Sequence, residues 1–149
     1  MENKLERKFL KGTYLSNFYI CSISFVLFDE KIIFKSAEHL FQAMKATNLE
    51  DVKKIANCET PKEAKKIGNE IKIIQNWDLI KIEKMKEIVF QKFFQNEILK
   101  KELIKMKDED LIEWNDWGDI FWGKNIETGE GENNLGKILV EVRNNLIKK

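Results

Sequence analysis

The chain has little of what several common protein classes require. It holds one histidine and two cysteines in 149 residues, and Cys21 and Cys58 lie in unrelated contexts without a CxxC spacing. A metal site therefore has poor support, and such cysteines are typical of a reducing compartment. No apolar run approaches the roughly 20 residues that cross a bilayer, and the start, MENKLERKFLKGTYL, lacks the apolar segment of a signal peptide. We expect a soluble, cytoplasmic protein with no membrane partner.

Charge and motifs exclude further classes. The formal charge is +1 at pH 7, which indicates neither a strongly basic nucleic-acid surface nor an acidic tail. A Walker loop, a GxGxxG after a strand, a GxSxG and a Cys/His nucleophile pattern are all absent from the sequence. The length suits one ordinary domain with its own core. We therefore predict a single domain over residues 1–149, with a core from about 14 to 146.

Local patterns predict a mainly helical α+β fold with a small β-sheet or hairpin. Ile23 to Phe28 and Lys31 to Lys35 are rich in β-branched and aromatic residues, and Asp29-Glu30 between them predicts a tight turn. Apolar residues on both faces of the first run predict a strand that is covered on both sides. Helix caps and apolar residues at three- and four-residue spacing predict helices over 36–47, 60–68, 77–94, 97–106 and 134–146.

The segment TPKEAKKIG carries the clearest helix signal in the chain. Thr60 is a good N-cap, Pro61 suits the first helical position and Glu63 completes a capping box. Gly68 stands where a helix would stop.

The stretch KSAEHLFQAMKA, residues 35–46, places polar side chains in an apolar helix. At about 100° per residue, Glu38, Gln42 and Lys45 fall on one narrow stripe. The stripe fits either a solvated face with a Glu-to-Lys pairing or the wall of a pocket near the positive end of the helix dipole. Spacing alone favours the solvated face. His39 lies beside the stripe, and a lone histidine is more often a hydrogen-bonded structural residue than a catalyst.

Two segments near the end of the chain also fit two interpretations each. DEDLIEWNDWGDIFWG, residues 108–123, is either an acidic loop with aromatic anchors on the core or a place where a flat ring is gripped beside close-approaching backbone. GENNLGKILVEVR, residues 131–143, enters a helix through an Asn-rich turn. Such a helix N-terminus can bind phosphate, but the pattern favours a simple cap.

Taken in chain order, seven segments resemble the NADAR family, also called YbiA-like. They are YLSNFY (14–19), KSAEHLFQAMKA (35–46), TPKEAKKIG (60–68), NWD (76–78), KFFQN (92–96), DIFWG (119–123) and NNLGKILVEVR (133–143). The resemblance covers about residues 14–146. The family's Ser-Glu-His reads Ala37-Glu38-His39 here, which keeps the glutamate in place.

The resemblance implies a compact, mainly helical α+β domain that hydrolyses N-glycosidic bonds of ribosylated compounds, without a cofactor or a metal. The family has two branches. One cleaves the ribosylaminopyrimidine phosphate intermediates of riboflavin biosynthesis, and the other removes ADP-ribose from guanine bases of nucleic acid. The expected partner is thus a small ribosyl phosphate or an ADP-ribose conjugate, free or on nucleic acid. The alternatives are a non-catalytic module that binds ADP-ribose or another nucleotide, and a nucleic-acid-binding protein that uses the basic start, Lys4, Arg7, Lys8 and Lys11.

The resemblance also implies roles for single residues. Glu38 is the predicted essential carboxylate, because breaking a ribosyl C–N bond builds positive charge on the sugar. Lys45 is predicted either to pair with phosphate or to act as a Schiff-base nucleophile, and Asp119 is the predicted second carboxylate. Lys92 and Arg143 fit either a phosphate contact or a role in the fold. The residues predicted to contact substrate are Asn17, Phe18, His39, Gln42, Trp77, Trp122, Gly123 and Asn133.

Overall fold

A computed structural model of the chain describes Arg7 and residues 13–148. The chain divides into two compact units, residues 17–97, which we call the hairpin unit, and residues 1–16 with 98–149, which we call the loop unit. The described residues form six α-helices, a two-stranded antiparallel hairpin and a short pair of parallel strands. The predicted α+β, mainly helical class is therefore confirmed. The prediction of a single domain stays a prediction, and Lys4, Lys8 and Lys11 lie outside the described residues.

The hairpin unit begins with the two longest strands. Its elements are β1 (Ile20–Leu27), β2 (Glu30–Ser36), α1 (Ala37–Met44), α2 (Leu49–Ala56), α3 (Pro61–Gly68) and α4 (Trp77–Gln95). The predicted turn is wrong by one residue, because Leu27 pairs with Glu30 and leaves Phe28-Asp29 as the turn. Both turn residues have positive φ, 51° and 62°, as a two-residue turn of type I′ requires. A bulky residue rarely adopts that conformation, so the pattern did not point to Phe28.

Only one face of the hairpin is covered by other elements, so the prediction of a strand covered on both sides is wrong. Ile23 and Phe34 pair across the strands and are fully buried. On the other face, Val26 is 57% exposed and Ile33 is 64% exposed. The strands contact α1 and α4. Packing on one face only explains why Ile23 and Phe34 are buried while Val26 and Ile33 are exposed.

The predicted helix starts at Ser36 and Thr60 are confirmed. The Ser36 hydroxyl accepts a hydrogen bond from the backbone N–H of His39 at 3.1 Å, and the Thr60 hydroxyl accepts one from that of Glu63 at 3.1 Å. Pro61 is the first residue of α3, as predicted. Helix α1 ends at Met44, three residues before its predicted end.

Helix α2 was not predicted, although it has a local signal. Asn48 is its N-cap, with a side-chain oxygen that accepts from the backbone N–H of Asp51 at 2.8 Å. The buried residues Val52, Ile55 and Ala56 form its apolar face. Eight residues with four apolar positions are too few for a strong periodic pattern, which explains the omission.

Besides residues 1–16, the loop unit contains the chain from Ile98 onward. Its elements are α5 (Glu97–Ile104), a 3₁₀ turn (Asp108–Asp110), β3 (Trp114–Asn115), β4 (Lys124–Asn125) and α6 (Asn134–Ile147). β3 and β4 are parallel, and the Lys124 N–H donates to the Glu113 carbonyl at 2.9 Å. Helices α4 and α6 match their predicted ranges to within one residue, and α5 ends two residues early. None of the helices in the described ranges is long and apolar enough to cross a membrane.

Candidate functional site

The polar stripe of α1 is buried. Glu38 is 7% exposed, Gln42 is 4% exposed and Lys45 is 9% exposed. The solvated face that spacing alone favoured is therefore wrong, and every other residue of α1 is buried too. Burying a carboxylate, an amide and an amine is costly unless each is partnered. Clusters of this kind are typical of functional sites, so the contacts of each side chain matter.

Glu38 is held through both its side chain and its backbone. The Gln42 amide Nε2, one helical turn along, donates to Glu38 Oε2 at 2.6 Å. The Glu38 backbone N–H donates to the Asn17 carbonyl at 2.9 Å, while the Asn17 side chain points to Met85, with Nδ2 at 3.4 Å from the sulfur. Glu38 also lies in the first turn of its helix, where the helix dipole favours a negative charge. The carboxylate is thus oriented before any ligand binds.

Lys45 is a buried amine beside charges of both signs. Burial is the largest effect and lowers its pKa; the Glu38 carboxylate raises the pKa, and the Lys65 ammonium lowers it. The net pKa lies below the ordinary value for lysine. The Lys45 carbonyl accepts a hydrogen bond from the Ile74 N–H at 2.9 Å. This bond anchors the backbone of Lys45. A lysine with a lowered pKa supplies the neutral amine more readily.

His39 occupies a structural position between α1 and the end of α2. It is fully buried, with Nδ1 2.7 Å from the Ser36 hydroxyl and Nε2 3.0 Å from the Cys58 carbonyl oxygen. Because a carbonyl only accepts, Nε2 carries the proton and Nδ1 accepts from Ser36. Burial, as the largest effect, lowers the His39 pKa. Both ring nitrogens are used within the protein, so the geometry favours support of the helix over the predicted substrate contact.

Aromatic rings surround the other predicted residues of the hairpin unit. Trp77, the first residue of α4, packs on Phe41 of α1 with ring centroids 5.3 Å apart. The Lys92 side chain is almost fully buried, and its ammonium lies 5.1 Å from the Phe93 ring and 5.9 Å from the Tyr19 ring. Such cation–π contacts stabilise a buried charge and favour a role of Lys92 in the fold. Phe18 is half-buried.

In the loop unit, the Asp119 carboxylate organises a turn. Its Oδ1 accepts from the backbone N–H groups of Phe121 at 3.2 Å and Trp122 at 2.9 Å. The Asn115 amide donates to the Asp119 carbonyl at 2.8 Å and accepts from its N–H at 3.1 Å. The rings of Phe121 and Trp122 meet edge to face, with centroids 4.8 Å apart. A catalytic role for Asp119 stays a prediction.

Gly123 and Asn133 hold the backbone of the loop unit together. A Cβ at Gly123 would overlap the Glu113 carbonyl oxygen, so glycine lets β3 and β4 approach each other. Asn133 has a positive φ of 53°. Its side chain accepts from the Glu113 N–H at 2.9 Å and donates to the Leu111 carbonyl at 3.2 Å. These contacts are structural, and substrate contacts of both residues stay predictions.

Arg143 joins α6 to the segment after α5. Its guanidinium donates to the Met106 carbonyl at 2.8 Å and pairs with the Asp108 carboxylate. Arg143 itself is buried. This arrangement favours a role of Arg143 in the fold over a phosphate contact.

The structure thus brings Glu38, Gln42 and Lys45 together, and it adds two residues that the sequence did not single out for the site. Lys65 lies close enough to lower the Lys45 pKa, and Gly68 lies against the Gln42 amide. Both belong to TPKEAKKIG, which the sequence indicated as a helix and as one segment of the family resemblance, without a site role for any of its residues. Among the residues the structure describes, no three His, Cys, Asp or Glu side chains group where they could hold a metal ion.

Comparison with known proteins places the chain in a family. A Vibrio vulnificus protein named as a riboflavin biosynthesis protein is 35% identical over 135 residues, which cover 89% of this chain but only 35% of that relative. An N-glycosidase of Nostoc punctiforme is 35% identical over 113 residues, or 72% of this chain and 71% of the relative. The N-glycosidase YbiA of Escherichia coli K12 is 29% identical, with 74% of this chain and 69% of the relative covered.

A solved structure and a family model agree with these relatives. The NMR structure of the E. coli protein YbiA superposes with a TM-score of 0.73 and 26% identity, covering 91% of this chain and 78% of that chain. The model of the NADAR domain matches residues 5–147. The chain therefore belongs to the NADAR domain family.

Proposed function

We propose that this protein hydrolyses the bond between a ribosyl C1′ and a nitrogen, with Glu38 as the essential carboxylate. The relatives from Nostoc punctiforme and E. coli are named N-glycosidases, and this chain is, like them, a hydrolase that acts on N-glycosyl bonds. The observation that carries the role of Glu38 is its burial at 7% exposure together with the 2.6 Å hydrogen bond from Gln42.

The chemistry of C–N cleavage suits this arrangement. As the bond breaks, positive charge develops on C1′ and the ring oxygen of the sugar. A carboxylate held in one orientation away from bulk water stabilises that charge more strongly than a solvated one. The same carboxylate can take a proton from the attacking water or deliver one to the leaving nitrogen. The hydrogen bond from Gln42 keeps Glu38 in place for these steps.

Lys45 has two proposed roles beside Glu38. As an ammonium it would pair with a substrate phosphate. As a neutral amine it would add to C1′ of the opened sugar, the leaving nitrogen would depart with a proton, and water would hydrolyse the resulting imine to free the amine and the sugar. The lowered pKa of Lys45 supports the second role, because only the neutral amine has an electron pair with which to attack C1′. A neutral amine also does not repel the positive charge on the sugar.

The proposed substrate is either an ADP-ribosylated guanine in nucleic acid or a ribosylaminopyrimidine phosphate. The name of the Vibrio relative points to riboflavin biosynthesis, but this chain covers about a third of that protein, so both substrates stay proposals. Asp119, Trp122, Gly123 and Asn133 of the loop unit stay proposed substrate contacts, with Asp119 as a second carboxylate.

Two incubations of the purified protein test the function. One uses DNA that carries ADP-ribosylated guanine, and the other uses ribosylaminopyrimidine phosphate; the released sugar is measured by mass spectrometry. We expect release from one of the two, and far slower release from the Glu38→Gln variant. Failure to release sugar from either would refute both substrates. Tight binding of ADP-ribose by calorimetry without any hydrolysis would instead assign a binding module.

A further inference from the structure

Gly68 is the last residue of α3, and its backbone does not have the positive φ that usually favours glycine at a helix end. Positive φ occurs at three of the described glycines, and Gly68 is not among them. The C-cap that follows, Asn69, is right-handed with a φ of −82°. The helix does end where the sequence predicted, but any residue could adopt the backbone conformation of Gly68. Because glycine lowers helix stability relative to alanine, the missing side chain must serve another purpose.

The space beside Gly68 is filled by Gln42. A Cβ at Gly68 would overlap the amide oxygen Oε1 of Gln42 and would lie 2.7 Å from its Cδ. These separations are far below van der Waals contact. The Gln42 amide and a side chain at position 68 therefore cannot occupy their places together.

The orientation of the Gln42 amide follows from its partner. An ionised carboxylate only accepts hydrogen bonds, so the atom that contacts Glu38 Oε2 is the donor Nε2, at 2.6 Å. The amide oxygen then faces Gly68, and it has no hydrogen-bond partner among the described residues. The Gln42 amide thus donates to Glu38 through Nε2 and packs against Gly68 with Oε1.

We propose that Gly68 is a positioning residue for the reaction: it leaves the space in which the Gln42 amide packs, and so it maintains the hydrogen bond that orients the Glu38 carboxylate. This inference rests on the proposed function of Glu38. A methyl group at position 68 displaces the amide, and the carboxylate loses the hydrogen bond from Gln42 that orients it. The chemical step then slows, while groups that bind the rest of the substrate are unchanged.

A double-mutant cycle tests this coupling on the substrate that the wild type cleaves. Gly68→Ala is expected to lower kcat by about tenfold to hundredfold with little change in KM. Gln42→Ala, which removes the donor, should lower kcat by a similar factor. In the double variant the amide is already gone, so kcat should be no lower than in Gln42→Ala alone. An unchanged kcat in Gly68→Ala, or losses that multiply in the double variant, would overturn the proposal.

An activity-independent measurement separates this inference from the proposed function. In NMR spectra of the wild type, the side-chain amide of Gln42 should be shifted downfield and protected from exchange, as a short bond to a carboxylate requires. Gly68→Ala should abolish both signatures. Lys66→Ala, an exposed position of the same helix, is the matched control and should leave both intact. If the wild type cleaved neither substrate, the proposed function would fail, while an unperturbed Gln42 amide in folded Gly68→Ala would refute the positioning role alone.

Discussion

Replacing His39 by leucine, which has a similar volume, is expected to lower the free energy of unfolding by about 2 kcal/mol at pH 7.5. The variant loses two hydrogen bonds, each worth about 1 kcal/mol net. One of the two partners is left without a substitute. The Cys58 carbonyl keeps the Lys35 ammonium at 3.0 Å, but the buried Ser36 hydroxyl, which still accepts from the backbone N–H of residue 39, loses the acceptor of its own O–H. The loss should therefore reach about 2 kcal/mol or slightly more, below the cost of two orphaned groups.

The same variant should change how stability depends on pH. Burial lowers the His39 pKa in the folded state, so the unfolded chain binds a proton first as the pH falls below about 6.5. The contribution of His39 is complete above that pH and is lost as the pH falls toward the folded pKa. His39→Leu lacks this term. The difference in unfolding free energy between wild type and variant should therefore shrink between pH 7.5 and pH 5.5.

Urea unfolding followed by circular dichroism at both pH values measures these differences, and a thermal scan should show a Tm lower by about 4–8 °C at pH 7.5. His39→Gln, whose amide can still donate to the Cys58 carbonyl, is the control and should lose less. A variant as stable as wild type, or a difference that widens at pH 5.5, would refute the reasoning. A higher KM at unchanged stability would restore His39 as a substrate contact.

Four further variants test the roles of Arg143, Asp119 and Lys45. Arg143→Met should cost about 2 kcal/mol in urea unfolding because the Met106 carbonyl loses a charged donor, whereas Asp108→Asn should cost under about 1 kcal/mol because the Asp108 side chain is 70% exposed; equal losses would contradict this division. Asp119→Asn keeps an acceptor for its two loop amides and should lower turnover at an unchanged Tm, and full turnover would limit Asp119 to the turn. Borohydride added during turnover should trap a sugar adduct on wild type but not on Lys45→Arg, and turnover by Lys45→Arg would favour the phosphate role.

Much of the fold could be predicted because its signals are local. Ser36 and Thr60 cap their helices through the next few residues of the chain, and the repeat of apolar residues in α4 needs no knowledge of distant segments. The turn at Phe28 could not be predicted, because tertiary structure holds a bulky residue in a conformation that it rarely adopts. Whether Val26 is covered also depends on which elements pack against the hairpin, and the residues of a strand do not encode that.

The candidate site shows the same division. Spacing alone placed Glu38, Gln42 and Lys45 on one stripe, and that grouping survives in the structure. Spacing could not tell whether the stripe faces water or protein, because a buried polar row and a solvated one have the same period. The family resemblance pointed to Glu38, but neither source indicated Lys65 or Gly68. Their importance depends on α3 lying beside α1, which brings together residues 20 and 26 positions apart in the chain.

The central claim is that Glu38 is the essential carboxylate of an N-glycosidase. Its most direct test is single-turnover release of sugar by wild type and Glu38→Gln on whichever substrate the wild type cleaves. Glutamine keeps the size of the side chain and an oxygen that can accept from Gln42, so the fold and the Tm should be retained. We predict a rate lower by about 10²-fold to 10⁴-fold. Release by folded Glu38→Gln at the wild-type rate would contradict the claim.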